Sequence, residues 1–311
     1  MTKANWLLSR LLLPAGMLPR IISHGDLRHN EQVRKQIGNI GFEYMLLVDQ
    51  DPAKVNASPI GGKIKSVHAP LPAFSHSAIG DNKYFIEFMT NWIYGPTRFP
   101  VDPYFVAEKT ITFAKNVGAK VAVFHTYHFD QKNIPEYLTF LSELEKKYKI
   151  IPGIEHEGSY IDAYSNYIHE DWTKDPVELI NFLDKIYQAK KFMICYDTCS
   201  QISNNLPVLD IKKIFNRVAV IHLADSVPGQ DLSLEIASPG DIELVNFLYE
   251  KKWGGLINAE VNGAIGFWEE LVGKIYGASA LLGFPILKNV GIRNAQRHQQ
   301  NSCKFLLTNF S

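Results

Sequence analysis

Six residues able to ligate a metal or carry a proton stand where short apolar runs end: His68, His125, Glu155, Asp197, His222 and Glu260. The runs are Lys65-Ser-Val-His68, Val121-Ala-Val-Phe-His125, Ile150-Ile-Pro-Gly-Ile-Glu155, Phe192-Met-Ile-Cys-Tyr-Asp197, Val218-Ala-Val-Ile-His222 and Leu256-Ile-Asn-Ala-Glu260. Each is β-rich, too short for a helix, and closes on an imidazole or a carboxylate, the groups that bind divalent ions and act as general acids and bases. Taken singly, each has a plainer account. His68 could bond its own loop, Asp197 could cap the following turn, His222 could pair with Asp225, and Glu260 could form an ion pair. Six coincidences at six successive strand ends explain the pattern less well than one shared ligand does.

The elements that must position these residues alternate. Asp102-Pro103 and Asp175-Pro176 are helix starts, with Asp as N-cap and Pro in the first turn. Helices are expected from there, over Ile134 to Tyr148, Asp210 to Phe215 and Asp241 to Trp253, each followed by one of the apolar runs. Earlier in the chain a strand is expected at Arg20 to Ser23, then a polar helix at Arg28 to Asn39 stopped by Gly41, then a strand at Phe42 to Val48 ending at Asp49. Nearly all-apolar strands alternating with helices indicate a parallel sheet covered by helices. Eight strand candidates predict a (β/α)8 TIM barrel, whose strand C-termini gather distant residues at one face. The competing open doubly wound sheet lacks its usual glycine-rich fingerprint after the first strand.

A chain of 311 residues with 46% hydrophobic content can build this as one domain. Residues 1–19 are expected to close the barrel, 20–284 to form it with a closing helix at Phe267 to Leu282, and 285–311 to be a polar accessory tail. The aromatic stretch from Ala69 to Pro103 is long enough to be a lid or a contact surface. The net charge is zero, from 32 basic and 32 acidic residues, so no global positive field recruits nucleic acid or membrane. Cys195, Cys199 and Cys303 are too few for a disulfide framework, which fits a cytoplasmic setting. The apolar segment from Trp6 to Met17 is interrupted by Arg10, unlike a signal sequence, and no run is long enough to span a membrane.

Val67-His68-Ala-Pro, Phe124-His125, Ile154-Glu155, Cys195-Tyr-Asp197-Thr-Cys, Ile221-His222-Leu-Ala-Asp225-Ser226, Pro239-Gly240-Asp241-Ile and Ala259-Glu260, in this order, resemble the xylose isomerase-like superfamily of TIM barrels. It includes sugar isomerases and epimerases, inosose dehydratases and endonuclease IV. The resemblance implies one divalent ion (Mn, Mg, Co or Zn) held by Glu155, Asp197, His222 and Glu260, with Glu155 and Glu260 as base and acid. The nuclease branch would instead place a second zinc on His68, His125 and Glu155. The chain departs from that branch: Ser200 stands where it has His, and Val227-Pro-Gly-Gln-Asp-Leu-Ser-Leu where it has an Asp-x-His pair, so the protein ligands of a third zinc are missing.

The expected function is isomerisation or epimerisation of a small polyhydroxylated carbonyl compound through an enediolate, or a related dehydration. His68, His125, Tyr127, His156, Asp225, Gln230 and the loop around Trp92 to Tyr94 are the expected substrate contacts. Superfamily relatives often form dimers or tetramers, which makes a homo-oligomer an expectation here. The rival readings are a zinc phosphodiesterase acting on abasic DNA and a non-enzymatic barrel that works through a partner.

Overall fold

Several helix starts and stops among the described residues obey local chemistry. The Asp102 carboxylate accepts from Tyr104 N–H and that of Asp175 from Val177 and Glu178 N–H, while Ser238 and Asp241 form a reciprocal capping box. Gly118 ends its helix at φ 78°, a left-handed conformation that glycine adopts without steric cost. The computed structural model describes residues 1–15, 31, 34–38, 40–46, 63–70, 102–126, 132–156, 173–188, 190–228, 230–261 and 285–310. In chain order the elements are α1 (Lys3–Arg10), β1 (Leu11–Ala15), β2 (Gly41–Met45), β3 (Ile64–His68), α2 (Pro103–Val117), β4 (Val121–Phe124), α3 (Ile134–Tyr148) and β5 (Ile151–Glu155). There follow α4 (Pro176–Ile186), β6 (Met193–Asp197), α5 (Thr198–Ser203), β7 (Val218–Leu223), β8 (Asp225–Val227), β9 (Gln230–Leu234), α6 (Pro239–Glu250), β10 (Leu256–Ala259) and α7 (Pro285–Asn309).

Strands β1 to β7 and β10 close into a barrel of eight parallel strands, in the order β1-β10-β7-β6-β5-β4-β3-β2. This is the (β/α)8 architecture. β8 and β9 form an antiparallel hairpin after β7. Among the described residues, no helix is long and apolar enough to cross a membrane.

The structure changes some local expectations. The first barrel strand is Leu11–Ala15, inside the segment expected only to close the barrel, and Leu11, Leu12 and Leu13 are buried. Arg10, an interruption in the apolar run, ends α1 instead: its Nε donates to Trp253 O at 2.9 Å, so the three leucines after it enter the sheet. Gly41 opens β2 rather than stopping a helix, and the preceding helical residues end at Gly38, where φ is 130°. Residues 208–217 form two 3₁₀ turns (Val208–Lys213 and Phe215–Arg217) instead of an α-helix. The expected strand at Arg20 to Ser23, the strand end expected at Asp49 and the helix expected at Phe267 to Leu282 lie outside the described residues.

Side chains alternate in and out along each strand. Val121, Val123, Cys195, Ala219 and Val220, with Met193 and Leu256 against them, form a small apolar cluster separate from the main core. All but Ala219, which sits at the register shift between β6 and β7, share strand parity with His125, Asp197, His222 and Glu260. The inner wall is therefore apolar low in the barrel and polar at its C-terminal rim, while Ile154, Tyr196 and Ile221, of opposite parity, join the larger core beneath the helices.

The C-terminal stretch, expected as an accessory tail, is helical through Asn309 and packs on the barrel. Cys303 and Leu306 are fully buried, the Phe310 ring sits 6.0 Å from Trp6 and 5.8 Å from Tyr249, and Ser302 Oγ accepts from Ile236 N–H at 3.0 Å. Replacing Leu306 by Ala is expected to cost about 2–5 kcal/mol of stability through the cavity it leaves, measured as a lowered urea midpoint at unchanged slope.

Candidate metal centre at the barrel mouth

Strand closure brings four of the six sequence-predicted residues into direct contact around Glu155. Its Oε1 accepts from His222 Nδ1 at 2.8 Å, and its Oε2 lies 3.1 Å from both His68 Nε2 and His125 Nε2. The two imidazole Nε2 atoms are themselves 3.1 Å apart. Two ring nitrogens that close must either divide donor and acceptor roles or turn both lone pairs on a shared cation. Glu260, just past β10, joins through Oε2, 2.5 Å from His222 Nδ1. The ligand atoms of His68, Glu155 and His222 fall within 4.8 Å of one another, and all three residues are buried. Nitrogen and carboxylate donors of this kind suit Mn²⁺, Co²⁺ or Zn²⁺. Of the three, His68 Nε2 and Glu155 Oε2 are 3.1 Å apart, near the ~3.3 Å between ligand atoms that each lie about 2.0 Å from a tetrahedral ion. The residues present thus fit a divalent ion.

Charge complementarity holds these groups in place. Burial disfavours a charged Glu155, yet His222 and His125, and hydrogen bonds from His222 and His68, bring its pKa well below the ordinary carboxylate value. Burial likewise opposes an imidazolium at His222, but neighbours that include Glu155, Glu260 and Glu43 push its pKa well above the ordinary histidine value. His68 moves the same way: burial opposes the charge, and Glu155 overcomes it. Protons therefore do in the metal-free protein what a cation would do in the loaded one.

The remaining sequence-predicted residues take other places. Asp197 caps α5: its Oδ1 accepts from Cys199 and Ser200 N–H at 2.7 and 3.2 Å, and its Oδ2 from Ser200 Oγ at 3.1 Å. Among the described residues it is not one of the three whose ligand atoms cluster. Asp197 thus serves as a cap, with Ser200 supplying the third bond, and a capping carboxylate still has lone pairs to offer a metal ion. His156 has the opposite parity to Glu155: its Nδ1 accepts from Asp197 N–H at 3.1 Å, and its ring packs 5.0 Å from Tyr196. It braces the β5–β6 rim. Asp225 does not pair with His222; its Oδ2 accepts from Ala237 N–H at 3.2 Å and ties the hairpin to the start of α6. Gln230 opens β9, with only its backbone described, and Tyr127 and the loop from Trp92 to Tyr94 lie outside the described residues.

One site residue escaped the sequence pattern. Glu43, in the middle of β2, is 3% exposed, and its Oε1 lies 2.8 Å from His222 Nε2 and accepts from Asn258 Nδ2 at 2.7 Å. Burial works against its charge, and His222 and His68 still hold its pKa below the ordinary value. The rule that active residues end strands passes over it. The signal was a lone carboxylate within Phe42-Glu-Tyr-Met, at the parity of the barrel interior.

No family model matches the sequence, and no curated protein sequence matches it. Solved structures do match the fold. The 3-keto-D-glucoside 4-epimerase of E. coli superposes with a TM-score of 0.54 at 12% identity, covering 89% of this chain and 100% of that one. A sugar phosphate isomerase/epimerase from Parabacteroides distasonis gives 0.53 at 12% identity over 97% and 96%. An AP endonuclease, family 2, from Brucella melitensis gives 0.51 at 14% identity over 83% and 94%. Likeness at these identities establishes a shared barrel fold.

The pKa directions set a pH dependence. His68 and His222 are raised, so their ion pairs contribute stability fully below the unfolded histidine value of 6.5 and lose it as pH rises through the folded values. Glu155 and Glu43 are lowered, so their contribution is present above the unfolded 4.5 and lost as pH falls through the folded values. The metal-free protein is expected to lose thermal stability as pH rises above neutrality. The Tm gain from added Mn²⁺, Co²⁺ or Zn²⁺ should grow over the same range, because the ion displaces those protons. Melting curves of chelator-treated protein across pH, with and without each ion, check both trends; a Tm gain that shrinks with pH contradicts them.

Proposed function

We propose that this protein is a divalent-metal-dependent isomerase or epimerase, or a closely related dehydratase, acting on a small polyhydroxylated carbonyl compound. The observation that carries the proposal is the convergence of His68, Glu155 and His222, with Glu260 beside them, at the C-terminal face of the barrel. His68, Glu155 and His222 would hold the ion. When bound, it would polarise a substrate carbonyl and offset the charge of an enediolate. Glu260 is the more accessible of the two carboxylates, its side chain being 16% exposed against 4% for Glu155. It takes the carbon-bound proton as general base. In an isomerase Glu260 itself returns the proton to the neighbouring carbon. In an epimerase Glu155, on a different strand, delivers to the opposite face of the same carbon a proton drawn from solvent, and Glu260 releases its own to solvent. His125 stands at the outer edge of the cluster, where it can donate to a substrate hydroxyl.

The second reading, a zinc phosphodiesterase, draws on the 3.1 Å triangle of His68, His125 and Glu155, the set that resemblance to the nuclease branch assigns to a second zinc. The neutral net charge and the engagement of Ser200 with Asp197 stand against it. Neither reading requires a membrane, and a homo-oligomer in the cytoplasm is compatible with both.

Glu260→Gln is expected to lower turnover of the responsive member of a ketose and inosose panel by about 10²–10⁴-fold, with folding unchanged by circular dichroism. Equal turnover in the variant removes Glu260 from the chemistry. A parent protein that is silent on the whole panel, holds two or three zinc ions per chain by elemental analysis and nicks abasic DNA supports the phosphodiesterase instead.

A further inference from the structure

Glu43 takes no part in the proposed proton transfers, yet a carboxylate in a barrel interior is costly unless something requires it. It belongs to β2, three strands from β7 around the wall, and reaches across the interior to His222. The two ring nitrogens of His222 are thereby divided. Nδ1 faces Glu155 and Glu260 at 2.8 and 2.5 Å, and Nε2 faces Glu43 at 2.8 Å. Asn258, the register partner of His222 on β10, donates to the same Glu43 oxygen. Thr198 Oγ1 lies 3.3 Å from His222 O and 2.7 Å from Ala224 O, tying down the backbone of the same strand end. The backbone of His222 is thus fixed, and what is left to set is the rotation of its ring.

We propose that Glu43 is the positioning residue of this centre: Asn258 Nδ2 holds its carboxylate, and the carboxylate holds His222 Nε2 so that Nδ1 is presented beside Glu155. The inference rests on reading the cluster as a metal centre. A carboxylate behind a ligating imidazole selects the tautomer, fixes the ring plane and makes the other nitrogen a stronger donor. In the present arrangement the Glu43 contact is close but off the N–H axis, leaving His222 Nε2 and Glu43 Oε2 without a hydrogen bond. A ring rotation that aligned Nε2–H with Glu43 Oε1 would give the buried nitrogen its partner, so the pair favours one orientation of His222.

The test is Co²⁺ binding to chelator-treated protein, followed by calorimetry and by visible absorption, for the parent, Glu43→Gln, Glu43→Leu, His222→Ala and the Glu43→Leu/His222→Ala double variant. Glu43→Leu is expected to weaken Co²⁺ binding by about 10–100-fold and shift the cobalt bands. Glu43→Gln is expected to weaken binding less, since its amide oxygen still accepts from Nε2–H. In the His222→Ala background, Glu43→Leu should change the affinity no further, which a residue that only props up the fold would not show. Parental affinity in folded Glu43→Leu, or a full additional loss in the His222→Ala background, overturns the proposal. If Glu43→Leu does not fold, parental affinity and spectrum in Glu43→Gln overturn it. A parent that binds no Co²⁺ overturns the metal-centre reading itself and the inference with it, an outcome distinct from one in which all variants bind equally.

Discussion

Opposite charges packed where water cannot reach are the constraint on which the rest of this structure depends. Glu155, His68 and His222 touch inside the mouth of a closed barrel, with Glu43 behind and Glu260 in front. A buried carboxylate or imidazolium alone would cost several kcal/mol, and each is tolerated because the others are there. Removing one partner exposes the remaining groups to that cost. Substitution of any one member of the cluster is therefore costly.

Much of the surrounding structure keeps these groups in register. Period-two alternation puts Val121, Val123, Cys195 and Val220 below the cluster as an apolar floor, while the opposite faces of the same strands bury Ile154, Tyr196 and Ile221 under the helices. The cap at Asp197 and the Thr198 bridge lock the ends of β6 and β7, the pair that carries His222. The terminal helix closes the side near α1 and the end of β10, through Phe310 on Trp6 and Gln299 on Val261 O. Glu260 lies immediately before Val261, so the packing of the C-terminus bears on a residue of the centre.

This barrel is shared by proteins named as sugar epimerases and as nucleases. The fold fixes where chemistry can happen, and the side chains at the rim decide which chemistry it is. Here the rim offers a compact set of imidazoles and carboxylates, one accessible carboxylate in Glu260 and a capped Asp197 next to Ser200.

The sequence by itself determined the architecture and most of the centre. Apolar runs of strand length, Asp-Pro helix starts and Gly118 are local signals, and local physics reads them the same way in the folded protein. The placement of His68, His125, Glu155, His222 and Glu260 at strand ends was legible because the barrel maps strand ends to one face. Tertiary structure alone decided which of these groups meet. Whether a strand-end carboxylate turns inward or folds back on the next helix depends on competing hydrogen bonds, and at Asp197 the N–H groups of Cys199 and Ser200 compete for the carboxylate. It also decided the role of Glu43, whose partners His222 and Asn258 lie far along the chain and reach it only once the barrel has closed. Leu11 to Ala15 became the first strand for a similar reason, since its register partners are β2 and the last barrel strand, and no local pattern announces a pairing between the two ends of a chain.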